Sequence, residues 1–208
     1  MSHAILEEEI TRSHIARDQL PEKFPTHLHD ALFWENLGRT VATFGLLEET
    51  LGKAVFALTV VPRYDSEEIA HAAYQAWLQA LQHGLGDPLI NLAESYGNTV
   101  RDHPDLALED VGQLVADIRK SVELRNVLCH GSWQTPDESG RSLPLFVDSN
   151  QNVFGTPIDI EYLEKVRHHV VDLICGVIES VTQMGWRFPG GFGLGPEIWT
   201  SEKREDSW

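Results

Sequence analysis

From Phe33 to Leu58 the apolar side chains fall three, four or seven positions apart: Phe33, Leu37, Val41, Phe44, Leu51, Val55 and Leu58. That spacing returns each one to the same side of an α-helix and lacks the strict alternation of a half-buried strand. It predicts a long helix over about residues 30–61, stopped before Pro62. Similar patterning predicts further helices over 66–83, 88–102, 108–130 and 159–184. Ser66 is placed to cap the second, with acidic residues behind it suited to the helix dipole. Gly131 is placed to stop the fourth.

Between the last two helices the chain changes character. "SWQT" and "LPLFVDS" read as short strands around the turn-forming "PDESGRS", with "VFGTPI" closing the insert. The expected fold is therefore all-α: an antiparallel helical bundle over 30–184 with a small β-hairpin-like insert at 132–158, before the last helix. Residues 1–29 read as an N-terminal arm, a short helix over "SHAILEEEITRSHIARDQL" leading into "PEKFPTHLHD". Residues 185–208 read as an extended Gly/Pro-rich tail whose aromatic residues suit docking on a neighbour. No apolar run approaches the ~20 residues that span a bilayer, so no membrane association is expected.

The formal net charge is −16 in 208 residues. Such a surface repels nucleic acid on average, because non-specific binding needs cations that displace phosphate counterions. It still accommodates a small cationic cleft, or a basic partner. The start "MSHAILEEEI" lacks the basic and apolar segments of a secretory signal, and Cys129 and Cys175 read as reduced core thiols, so the expected location is cytoplasmic.

On the fourth predicted helix, Val111, Leu114, Val115, Ile118, Val122 and Cys129 share a narrow sector, and Arg125 falls within it. An unpaired guanidinium on a core face is costly, so Arg125 requires a carboxylate partner or a cleft open to solvent. Asn126 and His130, four positions apart, stack on the flank of that face, which Arg119 and Glu123 continue. The first long helix has the matching anomaly: Glu48 lies on its apolar stripe, whereas Glu49 and Lys53 form an ordinary i,i+4 pair opposite. A Glu48–Arg125 pair follows from this geometry. Each residue also has a plainer reading: Arg125 in a register-fixing ion pair, His130 beside the negative end of the helix dipole, and Asn126 bonded to nearby backbone.

An arginine, a polar residue directly after it, and a histidine ending the same late helix, here "RNVLCH" followed by Gly131, resemble the motif of the HEPN superfamily. The phrase "FGLLEETL", which contains Glu48, resembles the acidic first-helix segment of several HEPN families. The resemblance covers residues 30–184; the arm, the insert and the tail depart from a minimal HEPN bundle. Many members are metal-independent endoribonucleases acting as toxins or in antiviral defence. The resemblance implies RNA cleavage to a 2′,3′-cyclic phosphate in a homodimer, with Arg125, Asn126 and His130 catalytic and Glu48 holding Arg125. It implies no cofactor and no metal, and the toxicity of such an enzyme calls for an inhibitory partner protein. The alternative is a non-catalytic HEPN-like module that binds a nucleotide, RNA or protein through the same cleft.

Other combinations are weaker. Cys129 and His130 are neighbours pointing about 100° apart on a helix, which does not make a nucleophile–base pair. "HLH" at 27–29 and "HH" at 168–169 lack further ligands at metal spacing. "GGFGLG" in the tail has no strand before it, and Tyr74, Trp77 and Leu78 read as helix packing.

Overall fold

A computed structural model describes residues 14–60, 89–101, 111–183 and 188. Among them are four helices: α1 (Ala31–Val60), α2 (Leu89–Arg101), α3 (Val111–His130) and α4 (Ile160–Thr182). A two-stranded antiparallel sheet, β1 (Ser132–Trp133) and β2 (Pro144–Leu145), lies between α3 and α4. The chain is thus an all-α bundle with a small hairpin insert, as its periodicity predicts. The helix expected over 66–83, with Tyr74, Trp77 and Leu78, lies outside the described residues, as does nearly all of the tail. Residues 14–30 contain short 3-10 turns at Arg17–Gln19 and Thr26–Leu28, where the sequence suggested that an α-helix reached Leu20. The segment carries Pro21 and Pro25, which restrict the residues before them to extended backbone.

The core is built chiefly from α1 and α4. Phe33, Leu37, Phe44, Leu47, Leu51 and Ala54 of α1 are buried, as are Leu163, Val166, Val170, Leu173 and Val177 of α4. Polar groups in this seam are satisfied: Thr40 Oγ1 donates to the carbonyls of Asn36 at 2.8 Å and Leu163 at 3.3 Å. Tyr96 of α2 is fully buried and donates to Ser180 Oγ at 2.8 Å, which in turn donates to the Val177 carbonyl. Burial outweighs that bond and raises the phenol's pKa. The start of α4 is fixed by Asp159, whose carboxylate accepts from the Tyr162 amide at 2.7 Å.

On α3 the buried face changes along its length. Val111, Val115 and Ile118 are buried as expected, but in the last turns the buried residues are Val127 and Leu128, while Cys129 is exposed. Cys175 is exposed as well, so neither cysteine is a core thiol. Val127 lies about 160° around the helix from Cys129. The insert starts at this end of the helix, and Ser142, Pro144 and Ile158 within it are buried. Cys175 belongs to a surface strip of α4, one position beyond the buried Leu173–Ile174 pair.

The insert is hydrogen-bonded loop by loop. Ser132 pairs with Leu145 and Trp133 with Pro144, and bridges join Ser142 to Ile158 and Val147 to Val153. Asp137 organises the first turn, accepting from Ser139 N, Ser139 Oγ and Arg141 N, which holds its carboxyl down at about 2. Asp148 does the same for the second, accepting from the amides of Asn150 and Asn152.

The turn from α3 into β1 requires glycine. A Cβ on Gly131 would lie 2.6 Å from the Val127 carbonyl oxygen and 2.9 Å from Pro144 Cβ. Gly131→Ala is expected to destabilise the fold by about 1–3 kcal/mol, seen as a lower urea midpoint with an unchanged m-value.

At the other end of this corner, residues 14–30 dock through His29. Its ring stacks on Phe33 at 4.4 Å and meets Trp34 and Trp133 edge-on at 5.3 and 6.3 Å. The Trp34 indole donates to the Thr26 carbonyl at 2.8 Å. His29 Nε2 is buried without a hydrogen bond, and burial lowers the imidazole's pKa against the opposing pull of Asp30. The folded chain therefore resists protonation of His29 more than the unfolded chain does. This contribution to stability is complete above the ordinary histidine pKa of about 6.5 and declines as pH falls through it. Urea midpoints at about pH 7.5 and 5.5 are expected to differ more for wild type than for His29→Phe.

Candidate functional site

The sector of α3 that is core at Val115 and Ile118 opens to solvent by the time it reaches the C-terminal turns. Arg125 and Asn126 are half-buried there, and Cys129 and His130 are exposed. Helix geometry stacks Asn126 and His130 on one flank, with about 7.5 Å of rise from Arg125 to His130. The four residues singled out in the sequence thus occupy one region, with the closest contacts joining three of them.

Arg125 is held from α1. Its Nε donates to Glu48 Oε1 at 3.1 Å, and the two side chains are 26% and 18% exposed. The pair expected from the two interrupted apolar stripes is therefore present. Glu48 meets the Nε edge of the guanidinium and leaves the terminal nitrogens for other acceptors. One of them, Nη1, donates to Asn126 Oδ1 at 3.3 Å. Nη2 has no acceptor among the described residues. With Asn126 Oδ1 engaged by a cation, its amide nitrogen is the atom left to donate outward.

His130 is the last residue of α3, and its ring makes no hydrogen bond or ion pair among the described residues. Its backbone leads into Gly131, whose amide bonds the Val127 carbonyl at 2.8 Å, and then into β1. Farther up the flank, Arg119 and Glu123 are exposed, and Tyr162 at the start of α4 has its phenol pKa raised first by burial and then by Glu123.

Elsewhere, the Glu49–Lys53 pair forms at 2.6 Å, but Lys53 is only 16% exposed, less of a surface residue than its wheel position suggested. His27 stacks on Phe24 and His29 joins the aromatic cluster, so "HLH" does not converge. Among the described residues no group of three or more His, Cys, Asp or Glu side chains is placed to hold a metal ion, and no helix is long and apolar enough to cross a membrane.

Sequence reasoning missed a neighbour of these residues. Trp133, three residues after His130, anchors β1 in the cluster of His29, Phe33 and Trp34. A tryptophan two residues after a helix-stopping glycine was the available signal. No family model matches the chain, and comparison with curated proteins and with solved structures found no match.

Glu48→Ala and Arg125→Ala are each expected to lose about 1–2 kcal/mol, between the values for exposed and fully buried pairs. A double-mutant cycle by urea denaturation should return a coupling of about 1 kcal/mol. Strict additivity would mean that the two groups do not support each other.

Proposed function

We propose that this chain is a metal-independent endoribonuclease of the HEPN type, using Arg125, Asn126 and His130 on RNA, with Glu48 holding Arg125. The observation that carries the reading is the way Arg125 is presented. A carboxylate holds its Nε edge, and Nη2 is left without a protein acceptor in a sector of α3 that opens to solvent. A guanidinium so held offers a fixed cation to a phosphate oxygen.

In the proposed reaction the 2′-oxygen attacks phosphorus and loses its proton to a base. The bond from phosphorus to the 5′-oxygen breaks, and that oxygen takes a proton from an acid. The products are a 2′,3′-cyclic phosphate and a 5′-hydroxyl. Arg125 and the Asn126 amide stabilise the charge on the non-bridging oxygens, and His130 transfers protons. One chain contributes one such histidine, so a homodimer divides the acid and base roles between two copies. Toxin–antitoxin or antiviral defence systems are the setting in which such an enzyme acts, restrained by an inhibitory partner.

One observation favours a second reading. Nothing among the described residues orients the His130 ring, whereas a general base is ordinarily held by a neighbour. A HEPN-like module that binds RNA, a nucleotide or a protein through Arg125 needs no such orientation.

Incubation of the purified full-length chain with mixed cellular RNA in excess EDTA separates the two. The ribonuclease reading predicts fragments ending in 2′,3′-cyclic phosphate, with His130→Ala lowering the rate by about 100-fold or more at unchanged stability. RNA retention without cleavage by folded wild type would instead establish the binding module.

A further inference from the structure

The second histidine of "HLH" has no part in the proposed chemistry, yet it fastens a whole segment. Of residues 14–30, all but His29 are exposed. Ile15, Leu20, Phe24 and Leu28, the large apolar side chains that would ordinarily anchor such a segment, are exposed with the rest. Apart from the turn that starts α1, its hydrogen bonds and ring contacts to the bundle are few among the described residues. They are the ring cage around His29 and the Trp34 indole bond to the Thr26 carbonyl at 2.8 Å. A segment attached with so little buried apolar surface opens locally, at much less cost than global unfolding.

That attachment suits an uncharged ring. His29 stacks on Phe33 and meets Trp34 and Trp133 edge-on, and its Nε2 is buried without an acceptor. An imidazolium in this place gives up water and gains no hydrogen bond at Nε2. Ring faces attract a cation, but weakly beside that loss. Few charged groups surround it. Asp30, next in sequence, favours the cation, and burial outweighs it. His27 is turned onto Phe24 at 5.8 Å. On α1, Phe33 and Trp34 are uncharged, and the exposed Glu35 is paired with Arg39 at 2.7 Å. On the insert, Trp133 lies between Ser132 and Gln134 and pairs with Pro144. The end of α3 brings the exposed Cys129 and His130, neither of them an acid that would receive a proton-bearing Nε2.

Trp133 ties this cage to the candidate site. It stands three residues after His130 and meets His29 at 6.3 Å and Phe33 at 5.0 Å. We propose that His29 is an acid-released latch: its protonation detaches residues 14–30 from α1 and removes one of the rings that hold Trp133, loosening the strand that leaves His130. Above the ordinary histidine pKa of about 6.5 the ring is neutral and the latch closed. As pH falls through and below that value, the segment opens and carries the charged ring into water. The latch acts on the surroundings of His130 whether the chain cleaves RNA or only binds it.

Proton–nitrogen NMR of the full chain between about pH 7.5 and 5 reads the latch directly. The indole N–H signals of Trp34 and Trp133, assigned with Trp34→Phe and Trp133→Phe, are expected to move together with the His29 ring titration. Its midpoint should fall below about 6.5. Amide signals of the buried Leu51 and Val170 should stay in place, which separates release from unfolding. His29→Phe should hold both indoles at their neutral-pH positions throughout the titration. His29→Lys, charged over the whole range, should place them at the acid positions from the start, with an unchanged far-ultraviolet circular dichroism spectrum. Indoles that ignore the His29 titration, the same acid movement in His29→Phe, or concerted movement of the core amides would overturn the proposal. So would movement of Trp34 alone, since the segment would then leave without touching the strand after His130.

Discussion

A guanidinium on the apolar side of a packed helix is tolerated only when something meets it, and in this chain that is Glu48. The contact joins the middle of α1 to the last turns of α3, two elements 77 positions apart in sequence. Because it engages Nε, it fixes the plane of the guanidinium while leaving the terminal nitrogens to Asn126 and to solvent. An ion pair of this exposure contributes modestly to stability. Its larger consequence is orientation: a long, flexible side chain becomes a donor with a defined direction.

The second constraint is the abrupt end of α3. Gly131 allows the backbone to pass close to Val127 and Pro144, so β1 begins at once. Val127 and Leu128 are buried beside this turn, while the Cys129–His130 edge is open. Trp133 reinforces the turn from beyond, locking β1 to Phe33 and His29, so the strand that follows His130 is held on both sides.

Much of the bundle was legible from periodicity alone. The described ends of the first, third and last helices lie within two positions of expectation: α1 begins at Ala31, α3 ends at His130 and α4 runs from Ile160 to Thr182, because Gly131 and Asp159 act locally. The Glu48–Arg125 pair was legible too, since two opposite charges interrupted two apolar stripes. The exposure of Cys129 was not. A helical wheel assumes that one face is buried from end to end, whereas the buried face of α3 moves to Val127 and Leu128 as it approaches Gly131. Contacts between distant segments, such as His29 with Trp133 and Tyr96 with Ser180, leave no periodic trace at all.

The central claim is that Arg125 and His130 together receive a phosphodiester. Nitrogen-15 NMR of the full chain, titrated with 2′-O-methyl RNA that cannot be cleaved, tests it at the atoms concerned. The account predicts that the Arg125 Nε–H resonance and the ring resonances of His130 both shift on binding. RNA that binds while both resonances stay unchanged would contradict it.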